Sequence, residues 1–501
     1  MAEYGKAKFV TNMLIMTGTM LVIRVMSMAF NIYFTSVIGA SGAGMYHVIF
    51  SVYGFMVTFS VAGTSLAVTR LVSETGAESG AVCNAIVKKC ISICVLLSLV
   101  ASGVVWVFGE SLGKSLFDAE YASTPLCLLC VSLPAVAVSA VLRGYFIAAR
   151  KVGTATTTQL AEEISCIATT VYILHFLKGS PYAYMSMIAG ITFSSIIAAV
   201  LDIVMYRISI SATLGAKSVP PPRYKDIFAI SIPVALGSYL RSALMSAENI
   251  LIPKRLAAAG VANALGEYGI IKGMSMPLML FPTVFIVSLA NMLVPELAER
   301  RVKLQPNGIR YIASKAISLT LYFAFMAAGV FVVCHDVLGE MFYKNAKVGT
   351  YLGLLSLLVI PMYLDTVVDS MLKGLGEQVS SLKYNIIDST MRVSFIWLFI
   401  PYLGAGGYIF LLYASEVFNL WLSLSRLIKV TGLKLTPNII VPPAVISLCA
   451  YIFATRFQNS PIKKAVLFLA VYVIATLTHL CVASLKEQKA KKCLSGYGKS
   501  K

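Results

Sequence analysis

The segment MLIMTGTMLVIRVMSMAFNIYFTSVIGASGAGMY, residues 13–46, decides the fold. It has the length and apolar character of a membrane-spanning helix and ends in a glycine-rich turn. Arg24 lies near its middle, where a charge costs several kcal/mol unless it reaches water or a partner. Polar residues recur near one helix face, at Thr17, Ser27, Asn31 and Thr35. We therefore expect this face to border a polar cavity that the rest of the chain encloses.

The composition is that of an all-α polytopic membrane protein. Of 501 residues, 58% are hydrophobic and only 13% are charged, whereas about a quarter of a soluble domain is charged. Apolar runs of roughly 20 residues recur along the chain, which favours helices over a barrel. The first run contains Arg24 and lacks a small-residue cleavage site, so we expect no cleavable signal peptide. The net charge of +19 lies mainly in short loops, a pattern typical of membrane topology and not of nucleic-acid binding.

The apolar runs predict 14 spans, and the loop charges predict their orientation. With the N-terminus, alternate loops and the C-terminal tail assigned to the cytoplasm, that side holds roughly 28 of the 41 lysines and arginines. We therefore expect both termini inside the cell. The predicted spans are approximately 9–37, 45–69, 84–109, 122–148, 157–177, 183–206, 226–252, 268–294, 312–335, 349–372, 384–403, 407–429, 437–455 and 462–485.

Motifs for enzyme chemistry and for cofactors are missing from the sequence. There is no Walker loop, no GxSxG and no HExxH, and no long soluble segment to hold a catalytic domain. Cysteine pairs such as Cys127 and Cys130 lie within apolar runs, and the four histidines are far apart. We therefore expect no enzyme activity, no metal site and no cofactor.

The sequence contains a repeat of two six-span halves. The proline-rich segment Ser211 to Lys225 separates them. Four pairs of similar residues are separated by 217, 222, 227 and 230 positions, a slow drift expected from small insertions: Arg24 and Arg241, Tyr46 and Tyr268, Leu66 and Leu293, Gly144 and Gly374. An even number of spans gives both halves the same orientation, related by an axis along the membrane normal. We predict an N-terminal lobe at 1–215, a C-terminal lobe at 216–432 and two further spans at 433–501, around a central cavity.

Arg24 and Arg241 are the main candidates for substrate contact. Two arginines at equivalent depth suit an anionic substrate, because a guanidinium keeps its charge and binds phosphate oxygens through two hydrogen bonds. The alternative is structural pairing with an intramembrane acid, for which Glu248 is the candidate. The predicted substrate-binding residues are Arg24, Asn31, Arg241, Glu248 and Asn249.

Acidic residues in the second half are candidates for ion coupling. Asp365 and Asp369 are four residues apart and share a helix face, and Asp388 has the same spacing from Arg392. A coupling site for Na⁺ or a proton would use Asp365, Asp369 or Asp388. Simple pairing of Asp388 with Arg392, or solvation at helix ends, is the alternative.

Several stretches resemble the stage V sporulation protein B branch of the polysaccharide flippases, which is related to the lipid II flippases. They are the first-span arginine, the G-x-x-G-x-G-x-Y turn at Gly39 to Tyr46, AGTSLAVTRLVSE at 62–74 and LRGYFIA at 142–148. The resemblance covers nearly the whole chain and implies the multidrug/oligosaccharidyl-lipid/polysaccharide exporter superfamily. It implies two lobes around a cationic cavity, alternating access, cavity arginines at Arg24 and Arg241, and a lipid-tail groove beside the last two spans. The second span has no interior cation, which departs from some lipid II flippases.

The resemblance implies a flippase of the bacterial cell membrane that carries an undecaprenyl-pyrophosphate-linked saccharide from the inner to the outer leaflet. The saccharide would be a peptidoglycan precursor such as lipid II or a polysaccharide unit, in vegetative or sporulation wall synthesis. We expect a monomer with lipid and cell-wall synthesis proteins as partners, driven by the membrane potential, Na⁺ or protons. A multidrug or cation antiporter of the same superfamily, or a scaffold in a wall-assembly complex, are the alternatives.

Overall fold

The computed structural model describes residues 2–61, 63–75, 80–117, 123–211, 223–458 and 460–497, with side chains omitted at several helix ends. Every regular element in these ranges is a helix, so the all-α prediction is confirmed. Most of the predicted linker at 211–225, the side chain of Thr17 and the side chains of the C-terminal tail lie outside the described residues.

Sixteen α-helices follow one another along the described chain, with short π and 3₁₀ segments between some of them. They are α1 Ala2–Val61, α2 Thr64–Thr75, α3 Gly80–Phe117, α4 Ser123–Ala148, α5 Val152–Leu177, α6 Met185–Ser211, α7 Tyr224–Ala258, α8 Ala264–Tyr268, a π-helix Gly269–Ser275, α9 Met276–Leu280, α10 Thr283–Val302, α11 Pro306–Tyr343, α12 Ala346–Leu355, a 3₁₀ turn Ser356–Leu358, α13 Val359–Gly374, α14 Gln378–Thr431, α15 Pro437–Phe457 and α16 Pro461–Tyr497.

Helix α1 is a helical hairpin with its turn at Gly39. Gly39 has φ +74° and ψ 177°, a conformation that interrupts the helix and that glycine adopts without a Cβ penalty. The rings of Phe34 and Tyr46 lie 5.7 Å apart between centroids. In a continuous helix these two residues would be separated by about 18 Å. The first arm (residues 2–38) therefore folds back on the second arm (residues 40–61), as the glycine-rich turn predicted.

Helix α14 has the same construction, with its break at Gly404 (φ +58°, ψ −146°). The ring centroids of Phe395 and Phe410 are 6.0 Å apart, whereas a continuous helix would separate them by about 22 Å.

Eleven helices of the described residues are long and apolar enough to span a membrane, or twelve if Ala264–Leu280 and Thr283–Val302 form one broken span. The chain is thus a multi-pass membrane protein. The count of 14 stays a prediction and requires both hairpins to cross twice.

The second predicted span, 45–69, contains an interruption of the helix. The chain breaks between Val61 and Thr64, where Gly63 has φ +81°. A Cβ at Gly63 would lie 2.2 Å from the carbonyl oxygen of Ser231. This close backbone approach forces the break, and hydrophobicity alone does not reveal it. In the eighth predicted span, 268–294, α9 ends at Leu280 and α10 begins at Thr283, with Phe281 and Pro282 between them.

The chain divides into two compact units, residues 1–277 with 385–411, and residues 278–384 with 412–501. The first unit has a core of aromatic and branched side chains that includes Phe34, Ile49 and Leu133. In the second unit, Phe468 and Tyr472 of α16 are buried with Tyr322 of α11 and two alanines of α15. The lobe boundaries inferred from the repeat stay a prediction.

Each of the two units contains a glycine that packs closely against a backbone carbonyl of another helix. In the first unit, a Cβ at Gly144 would lie 3.0 Å from the carbonyl oxygen of Ser65. In the second, a Cβ at Gly374 would lie 2.7 Å from the carbonyl oxygen of Val294. Small residues let helices approach closely where lipid supplies no hydrophobic drive for association. Both glycines belong to the LRG and LKG stretches that the sequence predicts to be repeats, and each stretch has a close backbone contact.

Candidate functional site

Equivalent residues of the two repeats meet directly inside the first unit. Ser41 and Asn263 hydrogen-bond through their side chains, with Asn263 Nδ2 donating to Ser41 Oγ over 3.1 Å. They are 222 positions apart, the same separation as Tyr46 and Tyr268. Contact between equivalent positions is what the predicted two-fold repeat would produce near its axis, and the repeat itself stays a prediction. The repeated glycine-rich stretches therefore pack against each other, and Gly44 has no room for a Cβ beside the Leu265 carbonyl.

Helix α7, the counterpart of α1 in the second repeat, packs along the second arm of α1 through polar contacts. Ser246 Oγ donates to the Ser51 carbonyl over 2.7 Å, and Ser242 Oγ donates to Thr58 Oγ1 over 3.2 Å. The hydroxyl of Tyr239 donates to the Phe59 carbonyl over 3.0 Å. These three bonds fix the register of α7 against α1.

That register places Arg24 and Arg241 at a similar level. Arg241 directly precedes the serine that contacts Thr58. In the α1 hairpin, Phe34 faces Tyr46. Continuing this antiparallel register places Arg24 at about the level of Met56, which is two residues from Thr58. The two arginines therefore differ in level by roughly 3–5 Å along the helix axis. Both arginines are exposed. Among the described residues, Arg241 forms no salt bridge.

Glu248, the acid considered as a structural partner for Arg241, has other partners. Its carboxylate lies 4.0 Å from Lys272 Nζ and 4.0 Å from Arg392 Nη1. Arg392 Nε also donates to Asp388 over 2.8 Å, as the four-residue spacing predicted. The four formal charges cancel. Since Glu248 is 6% exposed and held by these cations, it does not neutralise the exposed face of α7.

The two asparagines differ in their surroundings. Asn249 Oδ1 accepts a hydrogen bond from the Tyr268 hydroxyl over 3.0 Å, which ties α7 to α8 within the second repeat. The side-chain oxygen of Asn31 is buried and forms no hydrogen bond with the described residues. Substrate contact by either asparagine stays a prediction.

The three acids predicted for ion coupling are not gathered into one cluster. Asp388 belongs to the neutral network around Glu248. In the second unit, Asp365 accepts from Asn419 Nδ2 over 3.0 Å. Asp369, one turn further along α13, forms a 2.6 Å salt bridge with Lys373 and also accepts from Ser381. A coupling role for any of them stays a prediction, and none of the described residues forms a group suited to a metal ion.

Sequence reasoning missed a charged cluster in the first unit. Arg143 of α4 donates to Glu162 of α5 over 2.7 Å and lies 3.3 Å from Asp202 of α6. The adjacent Glu163 accepts a hydrogen bond from Ser27, three residues from Arg24. Both glutamates lie ten or more residues into α5. The four-residue spacings Ser139 to Arg143 and Thr158 to Glu162 were the available signal.

Comparison with known proteins identifies the family. The model for the family described as "Polysaccharide biosynthesis protein" matches residues 9–300, more than half of the chain. The chain belongs to this family. It is 21% identical over 484 residues to the stage V sporulation protein B of Bacillus subtilis (strain 168), a match that covers 93% of the chain and 91% of the relative. The sporulation protein YkvU of the same organism is 23% identical over 280 residues, covering 53% of the chain and 61% of YkvU.

Solved structures confirm the fold of this family member. The lipid II flippase MurJ in an inward closed conformation matches with a TM-score of 0.71 at 14% identity, covering 92% of the chain and 98% of MurJ. An inward-facing multidrug resistance transporter of the MATE family matches with a TM-score of 0.60 at 15% identity, covering 82% and 99%. The resemblance inferred from the sequence is thereby confirmed at the level of family and fold.

Proposed function

We propose that the protein is a flippase that moves an undecaprenyl-pyrophosphate-linked saccharide from the inner to the outer leaflet by alternating access. Arg24 and Arg241 bind the pyrophosphate, while the prenyl chain stays in the lipid. The proposal draws on the family, on the structural relatives and on the charges of the first unit. Both termini lie in the cytoplasm, and the saccharide is a lipid II-like peptidoglycan precursor or a polysaccharide unit.

The observation that carries the proposal is the exposure and the position of Arg24 and Arg241. Each lies within an apolar span, each is exposed, and the helix register places them at a similar level. The nearby acid Glu248 is already neutralised by Lys272 and Arg392. An exposed intramembrane arginine calls for an anion, and a pyrophosphate offers several oxygens in the geometry that guanidinium groups bind best.

The charge of the substrate supplies a driving force in the proposed direction. Moving a negative charge outward across an inside-negative membrane yields about 2.3 kcal/mol per charge per 100 mV. A pyrophosphate diester would therefore be pulled outward without ATP. Because two arginines make this face cationic, an anion suits it better than the organic cations of an antiporter.

Flipping in proteoliposomes with a fluorescent undecaprenyl-pyrophosphate saccharide tests the proposal. We expect Arg24→Ala and Arg241→Ala each to reduce the flipping rate at least about tenfold, since a charge-assisted bidentate contact is worth about 1.5–3 kcal/mol. Arg70→Ala is the matched control, because Arg70 is exposed and paired only with Glu74 on its own helix. Wild-type rates in both arginine variants, or export of organic cations in place of flipping, would overturn the proposal.

A further inference from the structure

A five-residue cluster in the first unit converges from three helices. Ser139 and Arg143 lie one turn apart on α4, and Thr158 and Glu162 lie one turn apart on α5. Both pairs face Asp202 of α6. Residues four apart share a helix face, so each neighbouring helix presents one hydroxyl and one charged group to the same carboxylate.

The cluster carries an uncompensated negative charge. Arg143 contributes one positive charge, while Glu162 and Asp202 contribute one negative charge each, and the described residues of α3, which also packs on α6, place no charged group against Asp202. The network around Glu248, with two acids and two cations, has no such excess. A net charge inside a membrane protein is costly, and the uptake of one proton removes it.

Burial varies across the cluster in a way that suits proton exchange. Asp202 is fully buried, whereas the side chains of Arg143 and Glu162 are 21% and 26% exposed. Glu162 thus reaches the surrounding medium, and Arg143 contacts both carboxylates, at 2.7 Å and 3.3 Å. Because Arg143 bridges the two carboxylates, a proton taken up from the medium by either acid removes the net negative charge of the same cluster.

A second feature of the cluster is an unpaired buried hydroxyl beside Asp202. Ser139 is 4% exposed and lies beside Asp202, yet its hydroxyl forms no hydrogen bond of normal geometry with a described residue. Buried hydroxyls in proteins almost always have a partner. The two carboxylate oxygens of Asp202 also lack a hydrogen bond of normal geometry with the described residues, so the polar groups at this site are incompletely paired.

We propose that Asp202, with Glu162 and Arg143, binds one exchangeable proton that couples transport to the proton gradient. The step is a simple transfer, in which a proton from water binds a carboxylate oxygen of Asp202 and leaves again in the other conformation. The coupling rests on the proposed flippase function, whereas the proton-binding site itself does not. Arg143 is a positioning residue that holds the two acids together.

Infrared spectroscopy of the purified protein tests the site without any substrate. In a pH titration of the protein in nanodiscs, we expect a protonated-carboxyl band whose intensity falls as the pH rises in the wild type and that is absent in Asp202→Asn. Glu74→Gln is the matched control, because Glu74 is exposed, and it should leave the band unchanged. A wild-type spectrum without such a band, or a band that persists in Asp202→Asn, would overturn the site. Glu162→Gln gives a second test by slowing or shifting the titration if Asp202→Asn fails to fold.

Flipping under an imposed pH gradient tests the coupling. With fluorescent undecaprenyl-pyrophosphate saccharide, we expect the wild-type rate to change by up to about tenfold per unit of pH gradient, since one pH unit corresponds to about 1.4 kcal/mol per proton. Asp202→Asn should still flip the lipid but respond to no gradient. A variant that keeps the wild-type response would refute the coupling. If the wild type flips nothing while the infrared band is present, the flippase proposal fails and the proton site stands.

Discussion

The neutral network of Glu248, Lys272, Asp388 and Arg392 predicts that removing one of its charges lowers the stability of the fold. Arg392 contacts Asp388 at 2.8 Å and Glu248 at 4.0 Å, and its side chain is only 17% exposed. Arg392→Ala changes the formal charge of the network from zero to −1 and leaves Asp388 without its arginine. Removing one partner of a buried ion pair costs about 3–5 kcal/mol, because the remaining charge stays buried.

The expected shift in melting temperature follows from the size of the first unit. A unit of about 300 residues has an unfolding entropy near 0.6 kcal/mol/K, so Arg392→Ala should lower its Tm by about 5–8 °C. Thermal unfolding followed by fluorescence-detected size exclusion in one detergent measures this shift.

A double variant separates the lost charge from the lost side chain. Arg392→Ala with Asp388→Asn restores neutrality, because Glu248 and Lys272 then balance each other, and it should recover about half or more of the lost stability. A single variant that melts within about 1 °C of the wild type, or a double variant no better than the single, would refute the assignment of this network as a buried, charge-balanced one.

Two further predictions concern helix ends and helix packing. Hydrogen bonds from Ser380 and Arg426, followed by the charge of Arg426, hold the pKa of Glu377 below its usual value at the start of α14. The ionised Glu377 therefore stabilises the fold above the usual glutamate pKa, and this stabilisation is lost as the pH falls. Glu377→Gln should lower the Tm at neutral pH by an amount that shrinks on acidification, and a pH-independent difference would contradict this assignment. Gly374→Ala should destabilise more than Gly144→Ala, because its Cβ would lie 2.7 Å from a backbone oxygen, compared with 3.0 Å at Gly144; equal Tm values for the two variants would show that the contacts relax.

The sequence predicted the features that depend on hydrophobicity and on local chemistry. Apolar run lengths identified the helical membrane fold, and the glycine turn at Gly39 appears where it was expected. The pairing of Asp388 with Arg392 followed from their spacing on one helix. Each of these depends on residues close together in the chain.

Features that depend on tertiary contacts were beyond sequence reasoning. The break at Gly63 exists because the Ser231 backbone approaches it from another helix. Glu248 finds its cations on two distant segments, at Lys272 and Arg392, and not on its own helix. The cluster around Asp202 draws residues from three helices, and a single sequence gives no distance between them.

Native mass spectrometry of the purified protein tests the central claim most directly. The wild type and the Arg70→Ala control should retain a bound lipid whose mass equals that of a prenyl-pyrophosphate saccharide, and the double variant Arg24→Ala with Arg241→Ala should lose it. A wild-type protein that binds only ordinary phospholipids, or a double variant that retains the prenyl-pyrophosphate lipid at wild-type occupancy, would contradict the claim that these two arginines bind the pyrophosphate of a lipid-linked saccharide.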